Sequence, residues 1–384
     1  MWRNIASTAL SFFVVLLIAF GGLIAWGQKQ YSAPGPLASA ICLKVPSGSS
    51  FRTISKTLSA QGAVSSDSVL RIGANYSGKA QDLKAGSFLV PEGASMAEIV
   101  DIVTRGGAST CGSEIVYRIG ILGAEYQVRE LDPGTERFVT RAEFTPEAEQ
   151  IPASYLRMRD SADTRYRIAV AEGATVWQIA NALSQADFLD GDAGELPPEG
   201  MLAPDSYEVR AGDKVADVLE QMRAEQQGRL DAAWANRAGD LPYDTPEEAL
   251  IMASIVEKET GIATERKQVA SVFVNRLRRG MRLQTDPSVI YGLTHGEGSL
   301  GRGLRQSELR GDTPYNTYVN AGLPPTPIAN PGLDAIEAAM NPATTEYLYF
   351  VAKTLNPADG HVFAATLNEH NRNVAKLRAL EAQQ

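Results

Sequence analysis

The chain has 384 residues, 44% hydrophobic and 21% charged, which is enough for two or three domains with their own cores and too ordinary for a disordered protein. Its net charge of −9 would repel a phosphate backbone, so nucleic-acid partners are disfavoured. The histidines His295, His361 and His370 have no HxxxH or CxxC partner, so neither a metal nor another cofactor is expected.

From Ile5 to Trp26 no charged side chain occurs, and at about 1.5 Å per residue this stretch can cross a hydrocarbon core of about 30 Å. A cleaved signal peptide is the alternative, but Trp26 and Gly27 stand where a small-x-small site would be needed. A retained anchor over residues 1–27 is therefore expected, with Trp2 and Trp26 as interfacial rings. Arg3 and the terminal amine favour a cytoplasmic N-terminus and place the bulk outside. Residues 28–40 read as a linker around Ser32-Ala33-Pro34-Gly35-Pro36.

A weak repeat follows. Val45-Pro46-Ser47-Gly48 precedes Phe51, Ile54 and Leu58; Val170-Ala171-Glu172-Gly173 precedes Val176, Ile179 and Leu183; Val90-Pro91-Glu92-Gly93 precedes Met96, Ile99 and Val103. Each copy predicts a strand, a glycine turn and a short amphipathic helix. Such a unit resembles half of a LysM module, a βααβ fold associated with N-acetylglucosamine polymers, though it is also common supersecondary structure without a ligand. On this reading residues 41–110 form a LysM-like module, 111–165 a β-rich insertion and 166–200 a second half-repeat. Cys42 and Cys111 are the only cysteines, and outside the cytoplasm they could pair if their Cα atoms lie within about 7 Å.

Residues 201–384 predict an α+β domain, making the whole chain α+β. A helix rich in Ala, Glu and Gln is expected over 215–238, others near 246–260, 264–279, 331–340 and 366–382, and strands near 347–353 and 361–365. The 246–260 helix is strongly punctuated: Thr245 as cap, Pro246 in the first turn, Glu248 completing a T-x-x-E box, and Gly261 suited to a C-terminal turn. With Leu250 at zero, Glu259 falls at about 180°, amid Ile251, Ile255, Met252 and Val256, whereas Glu257 falls at about 340°. A carboxyl on an apolar stripe loses water and its pKa rises toward the range of a general acid. An ion pair with a neighbouring cation is the bland alternative for Glu259.

Further on, Leu283-Gln284-Thr285-Asp286-Pro287 reads as an extended polar stretch leading into another helix, with Pro287 in its first position. Tyr315-Asn316-Thr317-Tyr318, followed by Gly322-Leu323-Pro324-Pro325, offers the amide and aromatic groups that bind sugars, or simply turn and packing residues. Gly296-Glu297-Gly298-Ser299-Leu300-Gly301 fits GxGxxG, but without a preceding strand or a later acidic residue it predicts a loop and not a dinucleotide site.

The runs Ala253-Ser254-Ile255-Val256-Glu257-Lys258-Glu259-Thr260, Val269 to Leu277, Leu283 to Pro287, Tyr315 to Tyr318, Gly322 to Pro325 and Tyr347 to Ala352 together resemble the MltG-type (YceG-like) endolytic murein transglycosylases. The resemblance covers roughly residues 200–384; upstream it extends only to layout, and residues 112–165 are longer than the family pattern. It implies cleavage of the β-1,4 bond between N-acetylmuramic acid and N-acetylglucosamine in nascent peptidoglycan, leaving 1,6-anhydro ends and ending strand growth. The second Glu of the family's E-K-E motif is catalytic, which falls on Glu259. Substrate-positioning roles are expected for Glu257, Gln284, Asp286, Tyr315, Asn316 and Tyr318. The expected partners are glycan strands, the inner membrane and peptidoglycan synthases, with the catalytic domain in the periplasm. A muramidase-type hydrolase, with Glu257, Glu265 or Asp286 as second carboxylate, and a non-catalytic peptidoglycan-binding scaffold stay open as alternatives.

Overall fold

The computed structural model describes residues 2–105, 110–159, 161 and 164–383, with side chains from Phe12 onward. The side chains of Trp2 and Arg3, on which the orientation expectation rested, lie outside the described residues. The fold is mixed α and β, and by its internal contacts the chain divides into two compact units. The first comprises residues 1–115, 127–143 and 150–165; the second comprises 116–126, 144–149 and 166–384. The division thus runs through the segment read above as one insertion.

The first unit opens with α1 (Trp2–Ser32), whose stretch from Phe12 is long and apolar enough to cross a membrane and leaves Phe12, Leu17, Ile18 and Phe20 exposed. Then come β1 (Ile41–Val45), α2 (Phe51–Ala60), α3 (Asp67–Tyr76), β2 (Gly86–Val90) and α4 (Met96–Thr104). Strands β1 and β2 pair antiparallel from Ile41↔Val90 to Val45↔Gly86, so the first and third copies of the repeat face each other within one βααβ arrangement. Ser50, Ser66 and Ser95 cap the three helices, Ser95 in a reciprocal box with Glu98. Phe51, Ile54, Leu58, Met96, Ile99 and Val103, the repeat's apolar positions, form the core with Leu43, Leu70 and Phe88. Gly73 allows the Tyr31 ring of α1 against α3, where any Cβ would overlap it. Cys42 and Cys111 stand as a disulfide with Cα atoms 5.6 Å apart.

Next are β3 (Ser113–Ile119), β4 (Ala124–Asp132), β5 (Arg137–Phe144), α5 (Ala153–Arg159), β6 (Arg165–Val170), α6 (Val176–Ser184) and β7 (Ser206–Val209), the strands ordering β5-β4-β3-β6-β7 in one sheet. The second repeat copy is β6 and α6, and β6 pairs antiparallel with β7 from Tyr166↔Val209 to Ala169↔Ser206.

The helices of the second unit follow as α7 (Val215–Ala235), α8 (Pro246–Glu259), α9 (Arg266–Arg278), α10 (Asp286–Thr294), the short α11 (Gln306–Leu309) and α12 (Leu333–Met340). The hairpin β8 (Tyr349–Ala352) and β9 (His361–Ala364) precedes α13 (Leu367–Glu381). Helix α8 lies at the centre of this core: every residue from Ala249 to Glu257 is buried, among them Leu250, Met252, Ile255 and Val256 beside Phe273, Ile336 and Met340. Where a one-sided stripe was expected, α8 is buried on all sides over this span, Ser254 and Glu257 included.

Two punctuation details differ from expectation. Thr245 accepts from Glu248 N, but the Glu248 carboxylate reaches Asp244 N at 2.8 Å instead of closing the box on Thr245. Helix α8 ends on Thr260 in an extended conformation (φ −149°), and Gly261 does not take the left-handed turn. The cause is the Thr260 hydroxyl, which donates to Glu265 Oε1 at 2.5 Å and accepts from Ile262 N at 3.0 Å, drawing the chain away from the helix axis. Helix α10 starts on Asp286, which moves Pro287 one place further in than expected.

Candidate active site

Glu259 is the last residue of α8, where the helix's own dipole disfavours a negative charge. Protein surrounds its carboxyl on most sides, yet the residue keeps some exposure to solvent. Burial raises its pKa above the usual carboxylate value, and the charge of Asp286 raises it further. The Thr285 hydroxyl, His361 and Arg276 oppose that rise, but burial outweighs them.

Residues 283–288 are shaped by Thr317. Gln284 N donates to Thr317 O at 3.1 Å, and Thr285 N donates to Thr317 Oγ1 at 3.0 Å. These bonds hold Gln284 at φ +53°, a left-handed conformation costing about 1 kcal/mol or more in a non-glycine residue. The Gln284 side chain is exposed, and Asp286 follows at the start of α10. Tyr318 Oη donates to Asp286 Oδ1 at 2.6 Å, and burial together with that bond raises the Tyr318 pKa, so the phenol stays protonated.

Two residues beside Glu259 were not singled out from the sequence. Arg276 of α9 is buried and donates to Leu348 O at 2.7 Å and Leu283 O at 2.6 Å, bracing β8 and the 283–288 stretch against the end of α8. Its guanidinium also lies 5.4 Å from the centre of the Tyr349 ring. His361 opens β9, with Nδ1 2.6 Å from Glu265 Oε1 and its backbone N donating to Glu265 Oε2 at 3.0 Å. Glu265 thus joins three groups: the Thr260 hydroxyl next to Glu259, the His361 ring and the His361 backbone. His361 has a hydrogen-bonded structural role.

Glu259, Asp286 and Tyr318 therefore come together, with Gln284 on the same stretch of chain. The other expected residues do different work. Glu257 is buried away from this group, accepting from Gly332 N at 3.0 Å and lying 3.9 Å from Arg266. Asn316 is fully buried; its amide donates to Glu308 O, Leu309 O and Gly311 O and its carbonyl accepts from Tyr318 N, so it holds the loop that presents Tyr318. Tyr315 bonds Thr326 at 2.8 Å and packs on Tyr291 with ring centres 5.1 Å apart. The GxGxxG stretch lies in the loop after α10, with no strand before it.

One electrostatic consequence can be measured directly. Replacing Asp286 by Asn removes the like charge that raises the Glu259 pKa, so the Glu259 carboxyl titrates at lower pH in Asp286→Asn than in the parent. Difference infrared titration of the carboxyl stretch, with Glu259→Gln as the blank, reads this; an unmoved or raised midpoint would contradict the arrangement.

A carboxyl whose pKa is raised by burial, set at a helix end with a protonated phenol and the Asp286 carboxyl beside it, is the kind of arrangement general acid–base chemistry requires, here on an α+β scaffold. The YceG-like family model matches residues 126–376, and the chain belongs to that family. It is 32% identical over 238 residues to the endolytic murein transglycosylase of Bacillus subtilis (strain 168), covering 54% of this chain and 64% of that protein. It is 28% identical over 343 residues to the endolytic murein transglycosylase of Streptococcus pneumoniae (strain ATCC BAA-255 / R6), covering 88% of this chain and 58% of that protein. The chain thus matches less than two thirds of the length of these relatives. A Listeria monocytogenes crystal structure described as yceG-like superposes with a TM-score of 0.47 at 24% identity, over 87% of this chain and 98% of that one.

Proposed function

We propose that the chain is an endolytic lytic transglycosylase acting on peptidoglycan, anchored in the inner membrane by α1 with its catalytic domain in the periplasm. The observation that carries the reading is Glu259: a carboxyl with its pKa raised by burial, on a residue at the end of α8 that keeps partial exposure. The names of the relatives supply the substrate class. Glu259 gives its proton to the glycosidic oxygen as the bond to the muramic C1 breaks. As a carboxylate it then takes the proton of the muramic C6 hydroxyl, whose oxygen closes on C1 to form the 1,6-anhydro ring. Tyr318, whose hydroxyl donates to Asp286 and whose oxygen can still accept from a sugar hydroxyl, and the exposed amide of Gln284 position the sugars.

The surroundings of the other carboxylates narrow the hydrolytic alternative to one candidate. Glu265 is engaged by Thr260 and His361 and Glu257 by Gly332 and Arg266, which leaves the exposed Asp286, held through one oxygen by Tyr318, as the carboxylate a hydrolytic route would have to use. The βααβ arrangement of β1, α2, α3 and β2 suits a LysM-like glycan-holding module, and an anchored enzyme of this kind would work beside the synthases that extend the strands. Incubating the full chain with uncross-linked glycan should yield 1,6-anhydromuramic ends by mass spectrometry. Ordinary reducing ends would mean hydrolysis, and strand retention without new ends would mean a scaffold.

A further inference from the structure

The mechanism uses nothing of α6, yet α6 carries the most exposed aromatic ring in the globular part of the second unit's described helices. Trp177 is 38% exposed, and Asn181, Ser184 and Gln185 follow it on the same open face. Trp177 and Asn181 line two adjoining hollows. One, of about 200 Å³, is closed by Ile121 and Leu122 of the β3–β4 turn and by Glu297 and Ser299 of the loop after α10. The other, of about 450 Å³, is bounded by Asp192 and Leu196. Among the described residues, the side chains of Asn181 and Gln185 have no protein partner, so their amides are available to a ligand. That loop is fixed where it leaves α10: the Thr175 hydroxyl, at the cap of α6, donates to Gly296 O at 2.6 Å.

The chemistry of the trough restricts its occupant. No Lys or Arg lines either hollow, while Glu147, Glu297 and Asp192 do, so phosphates, nucleic acids and anionic headgroups are repelled. An indole face beside free amides and exposed aliphatic side chains suits a neutral pyranose, whose C–H face stacks and whose hydroxyl and acetamido groups take hydrogen bonds. The trough also has a set distance from the acid. Helix α10 begins at Asp286 beside Glu259 and runs nine residues to this loop, a length of about 13 Å.

We infer that the Trp177 trough is a distal glycan subsite, holding neutral N-acetylhexosamine units of the strand about one helix length from the bond being cut. The inference rests on the glycan-cleaving reading and adds to it a preference for long strands, since a short oligomer in contact with Glu259 does not reach Trp177. The test uses the full chain in detergent, comparing kcat/KM on long uncross-linked glycan strands with that on short glycan oligomers. In Trp177→Ala the long-to-short ratio falls about tenfold through KM, the loss expected of one aromatic contact. Trp177→Phe recovers most of the ratio, and Asn181→Ala lowers it in the same sense, which a folding defect would not reproduce. An unchanged ratio in Trp177→Ala, with the parent still cutting both substrates, overturns the distal subsite and leaves the enzymatic reading standing. A change of oligomeric state in Trp177→Ala, with the ratio kept, would assign the trough to self-association and likewise overturn it. If the parent forms no new ends from either substrate, the reading beneath it has failed instead.

Discussion

Glu259→Gln is expected to lose activity by on the order of a thousandfold or more while melting at a higher temperature than the parent at neutral pH. The first effect follows from chemistry, since Gln can neither give the proton to the glycosidic oxygen nor take one from the C6 hydroxyl. The second follows from linkage. Burial raises the folded-state pKa of Glu259 above its ordinary 4.5, so the native chain holds this proton more tightly than the unfolded chain does. The stabilisation from that proton is fully present below the unfolded value and is lost as pH rises through the folded one. At neutral pH the parent therefore bears part of the cost of a charge at a buried helix end, which the neutral amide avoids. A gain of about 1 kcal/mol would raise the midpoint by roughly 2–4 °C in a domain of this size. Below the ordinary carboxylate range the two proteins should melt alike. Calorimetry at two pH values checks the sign: a Gln variant that is less stable at neutral pH would mean that the carboxylate is held by a partner and is not the poorly hydrated acid described here. The same titration governs turnover, whose alkaline limb should move to lower pH in Asp286→Asn along with the carboxyl.

The frame of α8 was legible from its local chemistry, because the Thr245 cap and Pro246 fix where the helix begins. The angular separation of Glu257 from Glu259 was legible too, but an apolar face alone does not select Glu259. Both carboxyls raise their pKa by burial, so lying on an apolar face does not distinguish them. What does is occupancy: Glu257 is bound by the Gly332 N–H and lies 3.9 Å from Arg266, whereas Glu259 borders Thr285, Asp286 and Tyr318, and Arg276 beside it spends its hydrogen bonds on Leu348 O and Leu283 O. That difference depends on chain segments far apart in sequence, which no helical period reports. For the same reason the partner of His361 was not visible, because the bond that holds it to Glu265 joins residues 96 positions apart. Asn316 shows the converse. An amide near tyrosines suggests a sugar ligand, but a residue whose amide serves three backbone carbonyls has little left to offer one. The repeat carried real information about local structure, since each copy is a strand, a turn and a helix. It did not reveal that the first and third copies pair with each other while the second joins a larger sheet, because V-x-x-G encodes the turn and not the partner strand.

Removing the Cys42–Cys111 bond should be the largest single loss of stability in the first unit. The bond closes a loop 69 residues apart, and the chain entropy it withholds from the unfolded state amounts to about 4 kcal/mol. The core it supports is small, built around a two-stranded ladder that also receives the Cys111 N–H at Ser87 O, 3.0 Å away. A two-stranded sheet is marginal without such support. Cys42→Ser with Cys111→Ser should therefore speed amide exchange throughout β1 and β2, by up to about a thousandfold where exchange requires the unit to open globally, and reducing agent should do the same to the parent. Amides of α8 and α9 report the second unit and serve as the internal reference. The bond also ties stability to compartment, since it persists only where thiols are oxidised. In membranes isolated under alkylating conditions the two cysteines should resist modification until a reductant is added. Immediate labelling of both, together with unchanged exchange in the double variant, would show that the first unit stands without the bond and would remove one support for an extracytoplasmic domain.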